Sequence, residues 1–298
     1  MEGPRGTLIL GHGIPPPPPS DALAAGWDLT SVLLGLAVVA GYAAVAQNAR
    51  RPVPRARTAA FVSGVAVVVF AVGSPLDAYA GALLSVHMVQ HLLLTLVAAP
   101  LILLGRPLSL ARRSDRGRRT VPRMLRSPIA HALSHPILTW ALYAIVLWGT
   151  HFTPVYQAAL ENDLVHVLEH AAYLAAALLF WFPVLGTEPS PWRLPYPARL
   201  LYLFLAGPLG AFLGLAINQA ASPLYAHYAT LERTWGPTPL ADQQAAGLIM
   251  WIAGGLGMLL AILLVAAAWA RSDRAAADRF DSLARSAEAA TGPRASSR

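Results

Sequence analysis

Seven apolar stretches, residues 27–47, 56–73, 80–104, 136–151, 164–186, 200–220 and 243–270, decide what this chain can fold into. Crossing the roughly 30 Å hydrocarbon layer of a bilayer takes about 20 predominantly apolar residues in a helix. Inside that layer no water is present to pair a backbone N–H or C=O, so only helices and closed barrels cross it. Stretches this long and this apolar select the helix. They predict an all-α fold, a polytopic membrane protein built as a seven-transmembrane-helix bundle, with the fourth span the shortest. Charge content agrees, since charged residues are 12% of the 298 against about a quarter in a soluble domain.

Arginine placement predicts the orientation. The chain has no lysine. Four arginines fall in 50–57, eight in 106–126, two at Arg193 and Arg199, and six after Ala270. A seven-span arrangement puts all of these on one side and only Arg5 and Arg233 on the other. Arginine-rich loops stay in the cytoplasm, so the N-terminus is expected outside and the C-terminus in the cytoplasm. The chain then divides into an extracytoplasmic proline-rich segment (1–26), a membrane domain (27–270) and a charged cytoplasmic tail (271–298). The tail alternates charge with alanine and reads as a helix that frays. Prolines 15–19 read as an exposed polyproline tether, and the apolar run in residues 1–13 is too short for a signal peptide. The net charge of +7 does not imply nucleic acid, because topology and anionic lipid account for the basic loop.

The histidines are placed less blandly. Of nine, His12, His87, His91, His151, His166, His170 and His227 fall outside or in the outer half of a span, and only His131 and His135 fall in the cytoplasmic loop. Residues i and i+4 share one helix face. His87 and His91 in "SVHMVQHLLL" therefore point the same way from the third span, and His166 and His170 in "LVHVLEHAAY" do so from the fifth. His151 ends the fourth span at that level. A lone interfacial histidine, such as His12 or His227, is ordinarily a snorkelling or hydrogen-bonded side chain. Two i,i+4 pairs and a fifth ring at one depth point instead to a metal or haem site, because polar groups inside spans are costly and face functional interiors.

Other groups stand near this level. Asp242, Gln243 and Met250 lie along the start of the seventh span in "DQQAAGLIMW". Asp242 equally suits a helix N-cap, and Met250 equally suits packing. Met88 lies about 100° round the helix from His87 and is expected to face elsewhere. Asp77 and Glu169 are candidates for orienting an imidazole from behind. His166, Glu169 and His170 also fit H-x-x-E-H, a zinc-hydrolase pattern in which the glutamate activates water. The absence of cysteine removes thiolate sites and disulfides. Imidazole suits copper, zinc and iron alike, and a thioether adds preference for Cu(I).

Three blocks, "HMVQHLLLTLVAAPLILLGRPL", "THFTPVYQAALENDLVHVLEHAAYLAAALLFWFPVLG" and "DQQAAGLIMWIAGG", resemble the CtaG-type cytochrome c oxidase assembly factors associated with caa-type oxidases. The resemblance covers residues 56–270. It implies a multi-pass protein of the bacterial inner (plasma) membrane that matures a haem–copper oxidase by supplying copper, with no turnover chemistry of its own. The matching positions are His87, His91, His151, His166, His170, Asp242, Gln243 and Met250. The implied partner is an oxidase subunit or another copper-transfer protein. The expectation is a copper site on the outer half of the bundle formed by His87, His91, His151, His166, His170 and Met250, supported by Asp77, Glu169, Asp242 and Gln243. A haem-binding membrane protein and a zinc hydrolase remain the alternatives.

Overall fold

A computed structural model describes residues 18, 20–21, 26–49 and 52–291, with side chains described as far as Ser286. His12, Arg5 and most of the proline run lie outside the described residues. Among those described, regular structure is helical throughout. The helices are α1 (Leu29–Gln47), α2 (Arg55–Gly73), α3 (Pro75–Ala80), α4 (Leu84–Leu92), α5 (Ala99–Leu104), α6 (Pro107–Ala111), α7 (Asp115–Leu125) and α8 (Pro128–Leu133). There follow α9 (Pro136–His151), α10 (Pro154–Glu161), α11 (Asp163–Leu185), α12 (Tyr196–Asn218), α13 (Ala226–Thr230) and α14 (Pro239–Thr291).

Local sequence sets most of these boundaries. Asp28 caps α1 by accepting from Thr30 N–H at 3.2 Å and Ser31 N–H at 2.8 Å. Asn162 caps α11 through Leu164 and Val165 at 3.0 and 3.1 Å. Helices α3, α6, α8, α9, α10 and α14 open on proline, whose missing N–H would be unpaired in the first turn anyway. Gly186 ends α11 at φ +57°, a left-handed position that glycine takes without steric cost.

Six segments are long and apolar enough to cross a membrane: α1, α2, the segment Leu84–Ala111, α11, α12 and the apolar part of α14. Helix α9 matches the expected fourth span residue for residue, but its 16 residues reach only about 24 Å. Its first turn includes Thr139, whose Oγ1 stands 3.0 Å from Tyr202 Oη near the start of α12, and it ends at His151, whose ring lies 6.0 Å from His91.

The third span differs from the expected 80–104. Gly81–Leu83 form a turn after α3, and the helix restarts at Leu84. It is then interrupted by a π-helical segment, Leu93–Ala98. Pro100 explains the interruption. In the wider register Ala99 N–H bonds Leu94 C=O, so the next carbonyl, Thr95, would need the N–H of Pro100, which has none. Trp181 on α11 supplies the missing donor, its Nε1–H reaching Thr95 C=O at 2.7 Å. The π segment thus locks the segment Leu84–Ala111 to α11.

Helices α12 and α14 cross at van der Waals contact between backbones. A Cβ on Gly214 would stand 2.6 Å from Gly247 C=O, and one on Gly247 2.5 Å from Gly214 C=O. Small residues at such crossings let helices approach closely where no hydrophobic force drives them together. The tail expected to fray continues α14 without a break to Thr291. The core sits among α4, α5, α9, α10, α11, α12 and α14, around Met88, Tyr156, Tyr173, Phe180, Leu203 and Leu213.

Candidate metal centre

Helices α4 and α11 start at the same level, and each presents its histidine pair to the other. His87 and His91 have ring centroids 4.5 Å apart, and His166 and His170 4.3 Å. Across the helices His87 lies 5.4 Å from His166 and 5.5 Å from His170, and His91 lies 5.6 Å from His170. All four are buried. Donor atoms of His87, His91 and His170 fall within 4.8 Å of one another. The same holds for Asp77, His166 and His170, and for His87, His166 and Glu169.

Finer geometry bears on coordination. His87 Nε2 and His91 Nε2 stand 3.0 Å apart. Two imidazoles sharing one tetrahedral ion at about 2.05 Å would have nitrogens about 3.3 Å apart. His91 Nδ1, His170 Nε2 and both Glu169 oxygens are buried with no hydrogen-bond partner among the described residues, although Glu169 Oε2 is 3.7 Å from His87 Nε2. Buried polar atoms are nearly always satisfied in native proteins, so a concentration of orphans at one point fits a site that gains ligand bonds when an ion enters. An ion there would find nitrogen and carboxylate donors, which suit copper and zinc.

His151 joins this group at its edge. Its Nδ1 stands 2.8 Å from Leu147 C=O. A carbonyl only accepts, so Nδ1 carries the hydrogen and Nε2 keeps its lone pair. That Nε2 is buried with no hydrogen-bond partner among the described residues. The ring stacks on Tyr156 at 5.4 Å and belongs to none of the three close donor sets.

Asp77, on α3 between two spans, is held by Gln90, whose Nε2 donates to Asp77 Oδ1 at 2.8 Å and to Ala71 C=O at 2.6 Å. Burial pushes the Asp77 carboxyl up to about 6, against the lowering by Gln90. Glu169 stands within the donor set of His87 and His166 rather than behind it. Asp242 does not approach the imidazoles. It reaches from α14 to the first turn of α4, accepting from Leu84 N–H at 2.6 Å and from Ser85 Oγ–H. Gln243 holds the loop after α12, accepting from Leu224 N–H at 2.7 Å and donating to Ile217 and Ser222 carbonyls at 3.3 Å. Met250 is buried and shares a small cavity with His91 and Met88, and neither methionine's neighbours in that cavity include a carboxylate. His227 bonds Gly81 C=O at 2.8 Å, and His131 and His135 pack on Trp192 in the arginine-rich loops.

A shell of tyrosines surrounds the rings, and sequence reasoning had not singled it out. Tyr173 stacks on His91 at 3.9 Å, and its Oη lies 2.6 Å from Thr150 Oγ1 and 3.2 Å from His151 Nδ1. Tyr156 tilts against His87 at 5.0 Å. Tyr228 Oη donates to Ala80 C=O at 2.8 Å and lies 3.5 Å from His87 Nδ1. Aromatics are common at membrane boundaries, so these residues carried no distinguishing signal. Gln90 did, as a polar residue one turn from His87 inside a span.

Fold and site together define a multi-pass membrane protein with a buried polyhistidine centre near one end of its bundle. The chain belongs to the cytochrome c oxidase caa3 assembly factor family (Caa3_CtaG), whose profile matches residues 39–272. It is 32% identical over 289 residues to the uncharacterized proteins Mb0105 of Mycobacterium bovis and MT0111 of Mycobacterium tuberculosis. It is 30% identical over 290 residues to ML1998 of Mycobacterium leprae. These alignments cover 92% of this chain and 44% of each relative, so the chain spans less than half the length of the curated relatives it matches. No solved structure matches it significantly.

Proposed function

We propose that this protein binds copper through the histidine cluster and helps supply it to cytochrome c oxidase during assembly. The observation that carries the reading is the convergence of His87, His91, His166 and His170 with Glu169 and Asp77 in three overlapping donor sets. Family membership gives the process that such a site would serve. In this reading the chain has seven spans. Helix α9 is the short fourth, the N-terminus is outside, and the cluster lies in the outer half of a bacterial plasma membrane. The opposed direction of α9 and its end at the level of His91 support that count, and the arginine distribution supports the orientation.

The role of each group follows from its chemistry. The imidazoles bind as neutral rings, Glu169 and Asp77 offset ionic charge, and the tyrosine shell excludes water. Copper is cargo here, received and passed to an oxidase subunit or another copper-transfer protein, and the chain turns over no substrate. Copper content of oxidase purified from a deletion strain tests this. The expected result is a copper-poor oxidase that added copper partly restores. A full copper complement would overturn it. The zinc-hydrolase alternative forecasts firmly held zinc and an activity lost in Glu169→Gln. A haem protein would show a Soret band when purified.

A further inference from the structure

Beside His91, in a space whose lining does not include His87, α4, α9, α11, α12 and α14 leave a cavity of about 30 Å³. Met88, His91, Tyr173, Met250, Gly254 and Met258 are among its lining residues. The chain has five methionines, and three of them are here, all buried. Met124, on a loop helix, is exposed. We propose that the upper end of this cavity is a second metal site, selective for Cu(I), formed by the thioethers of Met88 and Met250 with the imidazole of His91. The proposal rests on the copper reading and adds to it a soft position next to the histidine cluster.

Three observations support it. His91 stands between both places: its Nε2 faces His87 Nε2 at 3.0 Å, while its Nδ1 is buried with no hydrogen-bond partner among the described residues. A neutral ring has one lone pair, so when Nδ1 holds the soft ion the hydrogen sits on Nε2, and the first site rests on the donor sets that do not include His91. The cavity wall is otherwise nearly all apolar or thioether. A divalent ion entering it would lose its water and find no carboxylate, which is costly in a low-dielectric interior. A monovalent soft ion loses less and gains sulfur ligands. Finally, Met250 and Met258 are eight residues apart on α14, about 12 Å along its axis. One ion cannot hold both, so Met258 marks the lower end of the cavity. The two sites then differ in kind, nitrogen and carboxylate donors in one and nitrogen and sulfur in the other.

The test uses purified full-length protein titrated anaerobically with Cu(I) against a chromophoric Cu(I) chelator, and separately with Zn(II). Wild type is expected to hold at least one more equivalent of Cu(I) than of Zn(II). The double variant Met88→Leu/Met250→Leu changes volume little. It is expected to lose that equivalent, with Cu(I) affinity at the site down at least tenfold, while Zn(II) binding persists and reports an intact fold. Met124→Leu should match wild type. X-ray absorption of Cu(I)-loaded, selenomethionine-labelled protein should show a Cu–Se shell. Unchanged Cu(I) binding in the double variant, or no Cu–Se shell, would overturn the soft site and leave the histidine reading standing. A wild type that binds neither Zn(II) nor Cu(I) would overturn both.

Discussion

Asp242, near the start of α14, accepts a hydrogen bond at 2.6 Å from the N–H of Leu84, the first residue of α4. A carboxylate from one span thus caps the helix that carries His87 and His91, although the two residues are 158 positions apart in sequence. The same side chain takes the hydroxyl of Ser85. An acid near the start of α14 therefore fixes where α4 begins and the rotation at which its two imidazoles enter the cluster.

Asp242→Ala should lose the cap and loosen the α4 register. Loss of an N-cap costs about 0.5–2 kcal/mol, and loss of a group that orients metal ligands from behind typically costs about 10–100-fold in affinity. We expect lower thermal stability and metal affinity reduced within that range. Asp242→Asn, which keeps an acceptor oxygen, should recover part of both. Metal titration and thermal unfolding of the two variants check this, and an Ala variant indistinguishable from wild type in both would refute the positioning role.

Truncating an imidazole of the cluster should act differently. His91 and His170 are buried and share a donor set with His87, so His91→Ala and His170→Ala should each lose bound metal rather than weaken it modestly. His227 is tied to the Gly81 carbonyl, and His227→Ala should keep its metal. Metal analysis of the three purified proteins decides the matter. Equal content in all would remove the cluster as the binding site.

Acid should release the metal, and Asp77 gives the dependence a definite shape. Its carboxyl is pushed up to about 6, so it is neutral below that pH and an anionic donor above it. Unperturbed imidazoles protonate in a similar range, near 6.5, and proton competition weakens metal binding. Affinity should therefore fall as pH drops through about 6, more shallowly in Asp77→Asn. In metal-free protein the sign reverses. The folded carboxyl binds protons more tightly than an unfolded one near 3.8, so this residue's contribution to stability falls as pH rises from about 4 to about 6. The Asn variant should lack that slope. Parallel pH profiles for the two proteins would exclude Asp77 from the site.

Topology can be read with reporters. A reporter active only in the cytoplasm should be active when fused after Arg271 and silent when fused at Asn162. Because α9 has only 16 residues, a further fusion at Arg126 tests whether it crosses. Activity at Arg126 with silence at Asn162 means that it does, whereas the same result at both positions would leave six spans.

The histidine pairs were legible in the sequence because helical periodicity alone puts residues i and i+4 on one face. The apolar stretches were legible because a bilayer demands length and hydrophobicity of each segment separately. Third-span boundaries were less so: the turn at Gly81–Leu83 and the cap from Asp242 depend on a distant helix. The π segment had a local cause in Pro100, but the donor that completes it, Trp181, lies in another span.

What the sequence by itself determined was a set of helices long and apolar enough to cross a membrane, and the rotation of each histidine pair within its own helix. Tertiary structure decided which pairs meet. It brought His87 and His91 against His166 and His170, moved Glu169 among the donors, gave Asp242 and Gln243 to helix and loop backbones, and set Met250 in the wall of a cavity that His91 also lines. The reason is physical. A soluble helix records its buried face in an apolar stripe, but lipid is as apolar as a protein core, so a membrane helix shows little contrast between the side facing lipid and the side facing its neighbours. Helix pairing is settled by close packing, as where Gly214 meets Gly247, and by a few long-range hydrogen bonds. Those contacts are formed only when the whole bundle is assembled.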